Sequence, residues 1–192
     1  MKTRHFTLGL CALILLSSAC ASVAVRETGK PAEKESPVLI GAATREAIES
    51  FSPEWVEAEV NSQPEPAGVQ ALAAVEPGAE VEVFLGTWCG DSRRELPRLW
   101  KALDQMGVAP FALRYVAVDR AKKEPAGPVA ENGIRFLPTF IVRRDGREVG
   151  RIVETSPNGV EADLAALLSG KASGLLTTRT DLAPGSPAKS PL

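Results

Sequence analysis

Cys89 and Ser92 stand three residues apart in Trp88-Cys89-Gly90-Asp91-Ser92, directly after the apolar run Val81-Glu82-Val83-Phe84-Leu85. A cysteine between a strand and the start of a helix is placed for nucleophilic sulfur chemistry, because the free N–H groups and dipole of a helix start stabilise a thiolate. The spacing is that of a Cys-x-x-Cys dithiol with its second member replaced by serine. A dithiol can attack a substrate disulfide and then expel the substrate by closing its own ring. A lone thiolate halts at the mixed disulfide until another thiol arrives. Ser92 cannot form a disulfide, but on a helical turn its hydroxyl is within reach to donate a hydrogen bond to the sulfur. Arg93 and Arg94 add positive charge nearby, and Asp91 opposes it.

Composition removes most alternatives to this chemistry. The 192 residues are enough for one domain with its own core plus ends, and 44% hydrophobic content argues for a folded globule. A formal charge of −2 gives no reason to expect nucleic acid. His5 is the only histidine, and the cysteines are Cys11, Cys20 and Cys89. Ser-His-Asp and Cys-His catalysis, haem attachment and nearly all zinc sites are therefore excluded from the region around Cys89. Neither a cofactor nor a metal is expected.

The N-terminus carries Lys2 and Arg4, an apolar stretch from Phe6 to Leu16, then small residues through Ala19-Cys20-Ala21. This is the three-part pattern of a secretory signal, with an apolar stretch short for a membrane span. Two cleavage sites compete. Leu16-Ser17-Ser18-Ala19-Cys20 resembles a bacterial lipobox, in which Cys20 becomes the lipidated first residue, whereas Ala19-x-Ala21 suits an ordinary signal peptidase. The lipoprotein is the expectation, because a cysteine directly after the apolar stretch has an immediate use there. The expected organisation is a signal peptide over 1–19, a lipidated tether over 20–38, a helical extension over 39–79, the main domain over 80–170 and a disordered tail over 171–192. The protein is then lipid-anchored in the cell envelope and faces the periplasm. Ala21, rather than aspartate, after Cys20 favours the outer membrane over the inner.

The elements that must position Cys89 follow from periodicity and punctuation. Short helices are expected over Ala43–Phe51, Pro53–Val60 (burying Trp55 and Val56) and Gly68–Val75. Val81–Leu85 reads as a strand, and Leu96, Leu99, Trp100, Leu103 and Met106 recur at helical spacing until Gly107. A second strand runs Ala112–Val118, a charged connection follows over Arg120–Pro128, and one helical turn is expected over Pro128–Gly133. Thr139–Arg143 and Glu148–Val153 flank an Asp145-Gly146 turn, a strong hairpin signal. A last helix from Ser156-Pro157 carries Val160, Leu164, Leu167 and Leu168 and is closed by Gly170. The order implies an α/β fold, a central mixed sheet flanked by helices.

From about Glu80 to Leu168 the chain resembles the thioredoxin superfamily. The resemblance is carried by the Trp88–Ser92 motif, by Pro97 eight residues after Cys89, by Asn132-Gly133-Ile134-Arg135-Phe136-Leu137-Pro138-Thr139 and by Gly146 in the hairpin turn. It implies a thioredoxin-like fold with Cys89 as nucleophile and Pro138 in the cis form. It also implies a Leu137 backbone that pairs with a substrate strand, and a Trp88 that partly covers the thiol and touches a partner. Two positions depart from the pattern. Val83 stands where thioredoxins keep a buried carboxylate, and Glu154-Thr155 where they have a glycine that lets partners approach.

The function implied is a membrane-tethered, monothiol thiol–disulfide oxidoreductase or isomerase. Its partners would be exported proteins with a disulfide or an oxidised cysteine, with an external, low-molecular-weight thiol for resolution. The alternatives are a thioredoxin-fold binding module without redox activity, and a Cys89 that links two chains.

Overall fold

The computed structural model describes residues 37–182. The expected signal peptide, Cys20 and nearly all of the tether lie outside them. Alternation along β2 (Ala79–Leu85) sets the architecture: Val81, Val83 and Leu85 enter one core, and Phe84 enters a smaller cluster on the opposite face. β4 (Thr139–Arg144) does the same, with Phe140 and Val142 on the first side and Ile141 on the second. These are the buried strands at the middle of a six-stranded mixed sheet whose order is β1 (Gly41–Ala43), β3 (Phe111–Ala117), β2, β4, β5 (Arg147–Val153), β6 (Gly174–Leu176).

β3 (Phe111–Ala117) runs parallel to β2, with Val83 opposite Tyr115. β4 is antiparallel to β2, and β5 (Arg147–Val153) is antiparallel to β4 across the expected hairpin, where Asp145 and Gly146 both have positive φ. The fold class matches the expectation: an α/β, thioredoxin-like arrangement.

The larger core lies beneath α4 (Gly90–Met106) and α6 (Val160–Leu168), reinforced by α1 (Arg45–Glu49), α2 (Pro53–Asn61) and α3 (Pro66–Ala73). Leu96, Leu99 and Trp100 of α4 are fully buried. The Trp100 ring lies 5.8 Å from that of Trp55, and its Nε1–H donates to Tyr115 Oη at 2.9 Å. Burial pushes the Tyr115 hydroxyl up to about 12. The opposite cluster lies beneath α5 (Ala126–Glu131) and contains Val129, Ile134 and Leu137, with Trp88 and Cys89 packed against it.

The structure corrects the expected boundaries at both ends. The 39–79 extension is not purely helical: β1 (Gly41–Ala43) joins the sheet antiparallel to β3, and α1 begins only after the Thr44 cap, whose side chain accepts from Ala47 N. Ile48, Trp55 and Leu72 enter the same core as β2, so the extension completes the domain. Val56, expected to be buried, is 50% exposed, because α2 turns the Trp55 side inward. At the other end, β6 (Gly174–Leu176) pairs parallel with β5, and a short 3-10 helix follows over Thr180–Leu182. The expectation of disorder from 171 thus does not hold through 182, where backbone pairing with an edge strand supplies order that composition did not signal.

Candidate functional site

Cys89 caps α4 with extended backbone (φ −89°, ψ 123°), so the sulfur stands at the N-terminus of a 17-residue helix. Anions are favoured at such a position. It is half-buried and is the free thiol of the described residues. Its Sγ–H donates to the carbonyl of Leu137 at 3.4 Å, which joins two segments 48 residues apart. The Leu137–Pro138 bond is cis, as the resemblance implied, and a second cis bond precedes Pro125. The carbonyl on the other side, of Pro138, accepts from Glu154 N at 2.8 Å. Leu137 and Pro138 are themselves buried.

Ser92 is fully buried, and its Oγ accepts from Gly86 N at 3.2 Å. That bond ties the first turn of α4 back to the end of β2 and leaves the hydroxyl's own proton available, while the sulfur's hydrogen bond goes to Leu137. Val83 is buried in the larger core, so an apolar side chain fills the position where the resemblance called for a carboxylate.

Trp88 is half-buried, and its Nε1–H donates to Val118 O at 3.1 Å. The ring lies so close over Gly86 that an added Cβ there would come 2.8 Å from Trp88 Cε2 and 3.2 Å from Cys89 Cβ. Gly86 therefore sets the positions of both site residues. Its place two residues before the tryptophan is the signal the sequence offers for it. Above the ring stand Arg120, 5.6 Å from its centroid, and Lys122, 5.8 Å away.

Along the first turns of α4 the charges are organised in pairs. Arg94 contacts Asp91 at 2.9 Å and Glu95 at 3.2 Å, and Arg93 pairs with Glu54. Glu95 is only 5% exposed; burial raises its carboxyl above the usual range, against the opposing pull of Arg94. Arg98 grips Glu161 with two hydrogen bonds of 2.8 and 2.6 Å. Burial pushes the Glu161 carboxyl up, but Arg98 and the Glu65 N–H outweigh it and hold it below the usual range. Between α2 and the start of α4 lies a cavity of about 580 Å³, lined by Asn61, Gln63, Gly90, Arg93, Arg94 and Arg98. Among the described residues no cluster of His, Cys, Asp or Glu is disposed to hold a metal ion.

Glu154 has φ 60°, in the left-handed region that favours glycine. Its carboxylate receives Arg179 at 3.0 Å, and that guanidinium stacks over Phe136 with its carbon 4.0 Å from the ring centroid. The segment after β6 therefore packs on the loop that ends in Leu137–Pro138.

Comparison with known proteins gives a consistent set of relatives. The chain is 31% identical over 80 residues to thioredoxin of Coprinus comatus, with 41% of this chain and 71% of that protein covered. It is 29% identical over 84 residues to thioredoxin-1 of Saccharomyces cerevisiae, covering 43% of this chain and 75% of that one. It is 30% identical over 83 residues to thioredoxin-2 of Pyricularia oryzae, covering 43% of this chain but only 45% of that protein, less than half its length. No family model matches the chain. Among solved structures, a Pseudomonas aeruginosa protein of unknown function aligns at 19% identity and TM-score 0.48, covering 69% of this chain and 88% of that one. Thioredoxin 2 of the same species aligns at 23% identity and TM-score 0.36, over 58% and 95%.

Proposed function

The chain belongs to the thioredoxin family, and from that premise we propose that it is a monothiol thiol–disulfide oxidoreductase or isomerase with Cys89 as its nucleophile. The observation that carries this reading is the pairing of Cys89 Sγ with the Leu137 carbonyl beside a cis-proline, at the start of α4, with serine at the resolving position. In the resting thiol the Leu137 carbonyl accepts the proton-bearing sulfur. On deprotonation that bond is given up, and the helix start compensates the charge.

The Cys89 thiolate then attacks one sulfur of a partner disulfide, and the other sulfur leaves as a thiolate. The product is a mixed disulfide between Cys89 and the partner. Ser92 has no sulfur with which to break it, so an external thiol attacks instead and releases the partner. A second equivalent of that thiol restores Cys89 and leaves as the small disulfide. Alternatively, a different thiolate of the partner attacks the partner's own sulfur in the mixed disulfide, a new partner disulfide forms and Cys89 leaves as the thiolate, which is isomerisation. The cavity beside Gly90 gives a small thiol room next to the motif.

Reduction of the mixed disulfide of 2-mercaptoethanol and glutathione, in the presence of excess glutathione, tests the reading. The expected result is turnover by the protein and none by Cys89→Ser. No turnover by either, with partner capture from the envelope unchanged in Cys89→Ser, would favour the binding module instead. Export and anchoring through Cys20 belong to the same proposal, supported by the N-terminal pattern. Cys20→Ser is expected to move the protein from the membrane to the soluble fraction.

A further inference from the structure

Trp88 precedes Cys89, and Phe136 precedes Leu137, so each of the two segments that meet at the contact between the sulfur and the Leu137 carbonyl carries an aromatic residue next to it in sequence. Each carries two cations. Arg120 and Lys122 stand over Trp88, and Arg135 and Arg179 stand over Phe136, with Arg135 5.6 Å from the ring centroid. Arg179 is committed to Glu154 and Asp181. Arg120, Lys122 and Arg135 make no ion pair among the described residues, and Arg120 and Arg135 are exposed.

Elsewhere Arg45, Arg93, Arg94, Arg98, Arg143 and Arg151 are each paired with a carboxylate, and Arg114, Lys123, Arg147 and Lys171 make no ion pair among the described residues but lie over no aromatic ring; Arg120, Lys122 and Arg135 combine the lack of a carboxylate with a place over a ring next to the site residues. The loop bearing the Trp88 cations is held in place. Asp119 accepts from the backbone N–H groups of Ala121, Lys123 and Glu124 at 3.2, 2.6 and 2.9 Å, which engages its carboxylate with backbone. A guanidinium or ammonium stacked on a ring keeps N–H donors free at its edge while its position is restrained. The chain as a whole has a formal charge of −2, so unpaired cations over the aromatic residues of both segments that meet at the thiol are not a by-product of a basic protein.

We propose that this rim selects partners by charge: the polypeptide that docks at Cys89 carries acidic residues on both sides of its reacting cysteine. Glu or Asp on one flank meets Arg120 and Lys122, and on the other meets Arg135. The proposal rests on Cys89 being a working nucleophile and adds the chemical class of its partner. Rim charges of this kind act on the rate of encounter and its salt dependence.

The test uses three peptides that share a central cysteine carried as the mixed disulfide with thionitrobenzoate and differ only in acidic, neutral or basic flanks. Cys89 attacks the peptide sulfur, a disulfide forms between protein and peptide, and the coloured thionitrobenzoate thiolate leaves. Each rate with the full chain is divided by that of the same peptide with 2-mercaptoethanol, which removes intrinsic reactivity. At low ionic strength the acidic peptide is expected to react about tenfold faster than the neutral one and the basic peptide more slowly. The advantage should shrink in about 0.5 M salt. The ratio of acidic to neutral rates is expected to fall by about threefold in Arg120→Ala/Lys122→Ala and to a smaller degree in Arg135→Ala. Equal normalised rates at low salt, or a preference for the basic peptide, would overturn the proposal without touching the nucleophile. No release from any peptide would overturn the reading on which it rests, and the proposal with it.

Discussion

The α2–α4 side and the thiol face use the same residue types to opposite ends. On the first, Trp55 and Trp100 are fully buried against each other, and Arg45 lies 5.4 Å over the Trp100 ring while reaching Glu49, Glu59 and Asp104. On the second, Trp88 is half-buried, its cations have no carboxylate partner among the described residues, and it packs on the smaller of the two apolar clusters. An arginine over a tryptophan is thus a closed structural unit in one place and an open edge in the other.

Substitutions can break or sharpen this contrast. Trp100→Ala should have the largest effect, about 4 kcal/mol of stability by urea denaturation, because it empties a fully buried site. The folded fraction should still form the mixed disulfide at Cys89. Gly86→Ala should cost about 2 kcal/mol, since the added methyl meets the Trp88 ring and Cys89 Cβ. Unlike Trp100→Ala, it should also slow exchange at Cys89, measured by thionitrobenzoate release. Arg45→Ala should cost about 1 kcal/mol in thermal unfolding, because its ion pairs are partly solvated, with no effect on exchange.

The smallest effect is a pH dependence. Burial raises the Glu95 carboxyl in the folded state, so the folded protein binds the proton more tightly than the unfolded chain does. Its contribution is therefore fully present below the unfolded value and is lost as pH rises through the folded one. Glu95→Gln should gain stability relative to the parent as pH rises from the unfolded carboxylate range through the raised folded value, in paired denaturation curves.

The central strands and α4 were legible because their apolar residues recur with periods that a single pass along the chain can read. β1 and β6 were not: three residues carry no period, and their order comes from backbone pairing with β3 and β5. Cys89, Trp88 and Pro138 were legible through motif and resemblance together. The reach of Ser92 toward the sulfur was read from distance along a helical turn; that its Oγ also accepts from Gly86 N, on the preceding loop, was not, because that partner is set by the fold. Arg120 and Lys122 read only as members of a charged connection, because the ring that gives them meaning lies some thirty residues earlier and meets them only in the fold.

The claim that the site is complete with one sulfur is tested most directly by intact mass after reaction with a cysteine-containing peptide disulfide, comparing the parent chain with Ser92→Cys. The parent is expected to carry one peptide on Cys89 that persists until glutathione is added, and Ser92→Cys to lose its peptide unaided as the new dithiol closes. Absence of an adduct on the parent, or its spontaneous loss without added thiol, would contradict the account.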